Sequence, residues 1–121
     1  MRTLLPALIA VLIMAVLIVL DVAKPLGAHP WWSQQTLMIG TVIGAIVATL
    51  ATRMSTPMKR LMAFALITVL AFGLAKYGQT QFAASYAEDA LAGKMWYYGW
   101  IETGAALAAA ITAAAQVFLR K

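Results

Sequence analysis

Residues 95–119 read MWYYGWIETGAALAAAITAAAQVFL, twenty-five positions with a single charge, Glu102. A helix that crosses the hydrocarbon core of a bilayer needs about 20 predominantly apolar residues, and this run exceeds that. The rest of the 121-residue chain repeats the pattern. Leu4–Leu20 is uncharged and ends at Asp21. Pro30–Thr52 is uncharged and ends at Arg53. Leu61–Ala75 ends at Lys76, whose long stem can carry its ammonium to an interface. Ahead of that third run, Ser55-Thr56-Pro57 supplies a helix cap and a proline suited to the first helical position. The four runs predict spans at about 4–22, 33–53, 58–77 and 96–119.

Composition agrees. The chain is 64% hydrophobic and 11% charged, where a soluble domain is about a quarter charged and under half apolar. A protein this small has no interior in which to hide the excess. A soluble globular fold is excluded, and the expectation is an all-α polytopic membrane protein: one integral domain over residues 1–121, built as a four-transmembrane-helix bundle. The first span also resembles a signal peptide, with Arg2 as its basic start and Leu26-Gly27-Ala28 as a poor cleavage site. Its 17-residue apolar run is longer than an ordinary signal core, so it reads as retained. Between Tyr77 and Lys94 the chain is Ala-rich and lacks proline, with Phe82, Tyr86 and Leu91 at near-helical spacing. This predicts a short extra helical segment on the outer side, about 79–92, either continuing the third span above the membrane or lying along its surface, and ended near Gly93.

Charge then sets orientation. With four spans, Arg2, Arg53, Lys59, Arg60, Arg120 and Lys121 share one side with no acidic residue. Lys24, Lys76 and Lys94 share the other with Asp21, Glu88, Asp89 and Glu102. Basic residues favour the cytoplasmic side, so both termini are expected there. The Ala-rich, Asn-free composition fits a multi-pass protein of a bacterial inner membrane. The basic balance is thereby a matter of topology, and no nucleic-acid partner is expected. Trp31, Trp32, Trp96, Tyr97, Tyr98 and Trp100 all fall at the predicted outer interface, where amphipathic rings settle. They read as interfacial anchors, or as a platform for a partner or a quinone headgroup.

Two spans carry stripes of small residues: Gly40, Gly44 and Ala48 on the second, Gly104 and Ala108 on the fourth. In lipid, close backbone approach drives helix association, so these read as helix-packing faces, within one subunit or between subunits. Chemistry is sparse. There is no cysteine, and the sole histidine, His29, lies in a loop beside Pro30. Neither a metal site, a cofactor nor a catalytic constellation is expected, and the chain does not read as an enzyme. Asp21, Lys76 and Glu102 end or enter the spans near the outer interface. They suit a structural ion pair, or a proton or cation coupling site built on Glu102 and Lys76. In outline the chain resembles small multidrug transporters and small fluoride channels. Its first span, however, has no polar residue between Thr3 and Asp21, and the chain has no asparagine, so neither resemblance reaches the residues that carry function. The expectation is a non-catalytic accessory or scaffolding subunit of a larger membrane complex, of respiratory or photosynthetic type. Its partners would be membrane lipid and other subunits or copies of itself. The alternative is a small homo-oligomeric transporter or channel using Glu102 and Lys76, and a third reading is a quinone- or lipid-binding protein using the Trp96–Trp100 cluster.

Overall fold

The computed structural model describes residues 4–119. Arg2, Arg120 and Lys121, which enter the charge asymmetry, lie outside the described residues. Among the described residues all regular structure is helical: α1 (Leu5–Val19), α2 (Ala23–Leu26), α3 (Ser33–Leu50), a 3-10 turn (Ala51–Arg53), α4 (Pro57–Ala84) and α5 (Ala90–Leu119). Three helices are long and apolar enough to cross a membrane: α3 with its 3-10 turn, α4 and α5, with mean hydropathies of 1.6, 1.8 and 1.4. The fourth, α1, has 15 residues, about 22 Å of helix.

Local chemistry explains where the helices start and stop. Thr56 caps α4, its hydroxyl accepting from the Lys59 N–H at 3.3 Å, and Pro57 opens the first turn. Asp21 ends α1 in the left-handed region, at φ 53°, a conformation that Asp tolerates better than most side chains. The connection from Val22 to Trp32, expected to be irregular, contains one helical turn, α2, closed by Gly27 at φ 123°.

The helix expected over 79–92 continues the third span as far as Ala84, breaks over residues 85–89 and resumes as α5. From Pro57, α4 runs on through Gln79 to Ala84, and α5 already begins at Ala90, so Gly93 lies inside a helix and stops nothing. Alanine and glutamine favour helix, and no glycine or proline interrupts 79–92. The break falls where short polar side chains can cap instead. Ser85 Oγ accepts from the Asp89 N–H (2.9 Å) and Asp89 Oδ1 from the Ala92 N–H (3.0 Å), while Tyr86 and Ala87 take positive φ. The hairpin of α4 and α5 is therefore longer than the apolar runs alone suggest.

The centre of the molecule is α5. It packs against α4, α3 and α1, whereas α4 is held almost entirely by α5. Small residues make this possible. A Cβ on Gly40 would lie 2.7 Å from the Ala105 nitrogen, and one on Gly44 would strike the Ala105 carbonyl. On the other flank, a Cβ on Gly99 would lie 2.8 Å from Ala75 Cα. Around α5, α1 lies antiparallel to α3 along most of its length. Leu4 and Ala7 sit with Ala45, Thr49 and Leu50 at one end. At the other, Gln34 Nε2 donates to the Ile18 carbonyl (3.0 Å) and the Ser33 hydroxyl to Asp21 (2.7 Å).

Candidate functional site

The two ends of the bundle differ in kind. At the end where α3 and α5 carry their tryptophans, His29 stacks on Trp32 (ring centroids 5.8 Å apart) and meets Trp31 and Trp96 edge-on at 5.3 and 5.6 Å. Trp32 meets Trp96 and Tyr97, and Tyr97 meets Tyr98. Polar tips fix the cluster. Trp96 Nε1–H donates to the Gly27 carbonyl (2.8 Å), Gln35 Nε2 to Tyr97 OH (3.2 Å), and His29 Nδ1 accepts from the Trp31 N–H (3.1 Å). The loop histidine is thus the hub of an aromatic cluster.

Trp100 does not belong to this layer. It is 2% exposed and packs edge-on against Phe72 at 5.6 Å, with its Nε1 lacking a partner. Four residues past Trp96 on the same helix face is about 6 Å deeper, and on a helix covered by its neighbours that position is core.

The opposite end is tied by Arg60, which is buried in the first turn of α4. Its guanidinium donates to the Thr52 carbonyl (2.8 Å), to the Ser55 carbonyl and to Gln116 Oε1 (3.0 Å), joining the C-terminal end of α3, the connecting turn and α5. A cation at the carbonyl end of α3 also complements the helix dipole. By sequence Arg60 counts only among the basic residues of the expected cytoplasmic side. The signal that it is more lies in Gln116, the one amide in the second half of α5, and in Thr52 across from it.

Two clefts flank α4, because α4 leans on α5 and leaves gaps to α3 on one side and α1 on the other. The α3–α4 cleft, about 200 Å³, is lined by Gly44, Val47, Phe64, Ile67, Ala105, Ala106, Ala109 and one charge, Glu102. The α1–α4 cleft, about 450 Å³, has Leu17 and Val22–Ala23 with Leu26 on one side, Thr68, Val69 and Phe72 on the other, and Leu37, Trp100, Thr103 and Leu107 as its floor. Both threonine hydroxyls bond their own helix carbonyls, Thr68 to Phe64 and Thr103 to Gly99, each at 2.7 Å.

No known family model, characterised protein or solved structure matches this chain.

The charged residues singled out in the sequence are not brought together. Asp21 takes the Ser33 hydroxyl. Lys76 donates to the Leu26 carbonyl at 3.3 Å, above the α1–α4 cleft. Glu102 is exposed in the other cleft, and no described residue donates to its carboxylate. The small residues do share one seam: Gly40 and Gly44 of α3 face Ile101, Gly104, Ala105 and Ala108 of α5. Ala48 is also buried on α3. Among the described residues no group of three His, Asp or Glu side chains is gathered in a way that could hold a metal ion.

Proposed function

We propose that the chain is a non-catalytic accessory subunit of a larger membrane assembly. In this reading it crosses a bacterial inner membrane four times with both termini inside. Support for a fourth span comes from α1, which is short but lies beside α3 from one end to the other. Support for the orientation comes from the basic cluster of Arg53, Lys59 and Arg60 at one end and the tryptophans at the other. From Trp96 to Gln116 is 20 residues of continuous helix, about 30 Å, which matches the hydrocarbon thickness.

The observation that carries the proposal is Glu102. In this frame it lies about 9 Å past Trp96 along α5, inside the apolar layer. A carboxylate facing lipid costs up to about 2.5–3.5 kcal/mol, the value at the centre of a span. The cleft around it is walled by glycine and alanine, which admit a helix closely. The fitting occupant is a transmembrane helix of another subunit that supplies a cation or hydrogen-bond donor at this depth. The alternative, a homo-oligomeric transporter or channel, retains Glu102 but loses the coupling role of Lys76, which faces the other cleft.

Purification in mild detergent followed by native mass measurement tests the reading. The expected result is a fixed-ratio complex with other polypeptides, which Glu102→Leu reduces to free chain. A stable oligomer of this chain alone, with proteoliposome flux abolished by Glu102→Gln, would replace this reading with the transporter.

A further inference from the structure

The α1–α4 cleft has a second feature beyond its apolar walls: it is capped by a cation without an anion. Thr68, Phe72 and Lys76 follow one another at four-residue spacing on one face of α4, so Lys76 stands one turn, about 6 Å, above the cleft wall. Its ammonium reaches across to the carbonyl of Leu26, itself a residue of the cleft rim. An ammonium carries three donors. Leu26 takes one, and no described carboxylate pairs with it. Gly27 leaves room at the rim for Lys76 Nζ and Gln79 Oε1, which a Cβ there would meet at 2.8 and 2.7 Å. The cleft is open sideways, with Val69 67% and Leu26 52% exposed at its rim. Its volume falls in the range of small-molecule sites, about 300–1,000 Å³.

We propose that this cleft holds an acyl chain of an anionic phospholipid, with the lipid phosphate paired to Lys76. The two halves of the site match the two halves of that ligand. An unbroken apolar trough accepts hydrocarbon, and an unpaired ammonium at its outer mouth accepts the phosphate. Tight packing is not required of the chain in the trough, because dispersion with Leu17, Phe72 and Leu107 is non-directional. Head-group selectivity falls to Lys76. The exposed Lys24, on the same short helix as Leu26, adds to the positive field at the rim. The site uses neither Glu102 nor any partner subunit, although the two clefts share α4 as a wall; it rests only on the chain being immersed in a bilayer.

The test uses the whole chain purified in mild detergent and titrated with phosphatidylglycerol or phosphatidylcholine of identical acyl chains, with bound lipid read by native mass spectrometry. Phosphatidylglycerol adducts are expected at about fivefold lower lipid concentration, the effect of one lysine near an anionic lipid. Lys76→Gln should abolish that preference while leaving weak binding of both lipids. Leu107→Trp, which fills the trough and keeps Lys76, should weaken both. Equal binding of the two lipids by the wild type, or an unchanged preference in Lys76→Gln, overturns the proposal. Stronger binding of a free fatty acid than of phosphatidylglycerol overturns it too, in favour of a carboxylate ligand. Recovery of the chain in the soluble fraction without detergent would instead remove the membrane reading on which both proposals stand, so the two failures are distinguishable.

Discussion

The clefts on either side of α4 share a wall and differ in what they lack. On the α3 side, the walls are small and a carboxylate, Glu102, stands in the cleft without a donor. On the α1 side, the walls are large and apolar, and an ammonium, Lys76, stands at the rim without an anion. Small residues with a mid-helix charge describe a place for a rigid neighbour that approaches closely. Leu, Val and Phe with a charge only at the mouth describe a place for something flexible with one polar end. The difference follows from the helix next door. Gly40 and Gly44 draw α3 onto α5, whereas α1 offers Leu17 and stands further out.

Substitutions can break this comparison, and the largest effect belongs to the seam beneath the first cleft. Gly44→Leu would drive a side chain into the Ala105 backbone, and overpacking of this kind costs about 1–3 kcal/mol or more. Thermal unfolding in detergent should show it clearly. Gly73→Ala is the control: nothing lies within 4 Å of its added Cβ, and helix propensity alone should stabilise by up to about 1 kcal/mol.

Next comes Arg60→Met, which strands the Thr52 and Ser55 carbonyls and Gln116. A loss of about 1.5–3 kcal/mol is expected from a charged hydrogen-bonding group. Lys at this position should rescue little, since it lacks the planar fork of donors. Because Arg60 anchors the shared wall, lipid binding at Lys76 and partner binding at Glu102 should weaken together. A change in one alone would show that the clefts do not share α4 as a rigid wall.

The smallest effect belongs to the aromatic cluster. Trp96→Phe removes the bond to Gly27 and should cost about 1 kcal/mol, read by thermal unfolding in detergent.

Several helix edges were legible in the sequence, although Lys76 ends an apolar run and not a helix. Asp21, Arg53 and Thr56-Pro57 each stand where a helix ends or begins. Edges set by capping geometry were harder, because apolar runs show where lipid is tolerated and say nothing of how far helix continues beyond it. That is why α4 reaches Ala84 and α5 starts at Ala90. Trp100 and Arg60 are buried for one physical reason. Trp100 belongs to α5 and Arg60 reaches Gln116 on it, and the neighbours of α5 cover that helix on several sides. That coverage is a property of packing between helices distant in sequence. Glu102 and Lys76 looked like partners by proximity to one interface, but they face different clefts and stand at different levels, Lys76 at a mouth beside Leu26 and Glu102 within the other cleft.

The central place of α5 also has a bearing on how the molecule is made. Among the five helices it is synthesised after the others, yet it is the one that the rest lean on, and α4 has almost no other support. Until α5 enters the bilayer, α1 and α3 can pair, but α4 must wait as a lone span. A chain cut short before α5 would thus leave α4 without its packing partner, open to membrane proteases and chaperones.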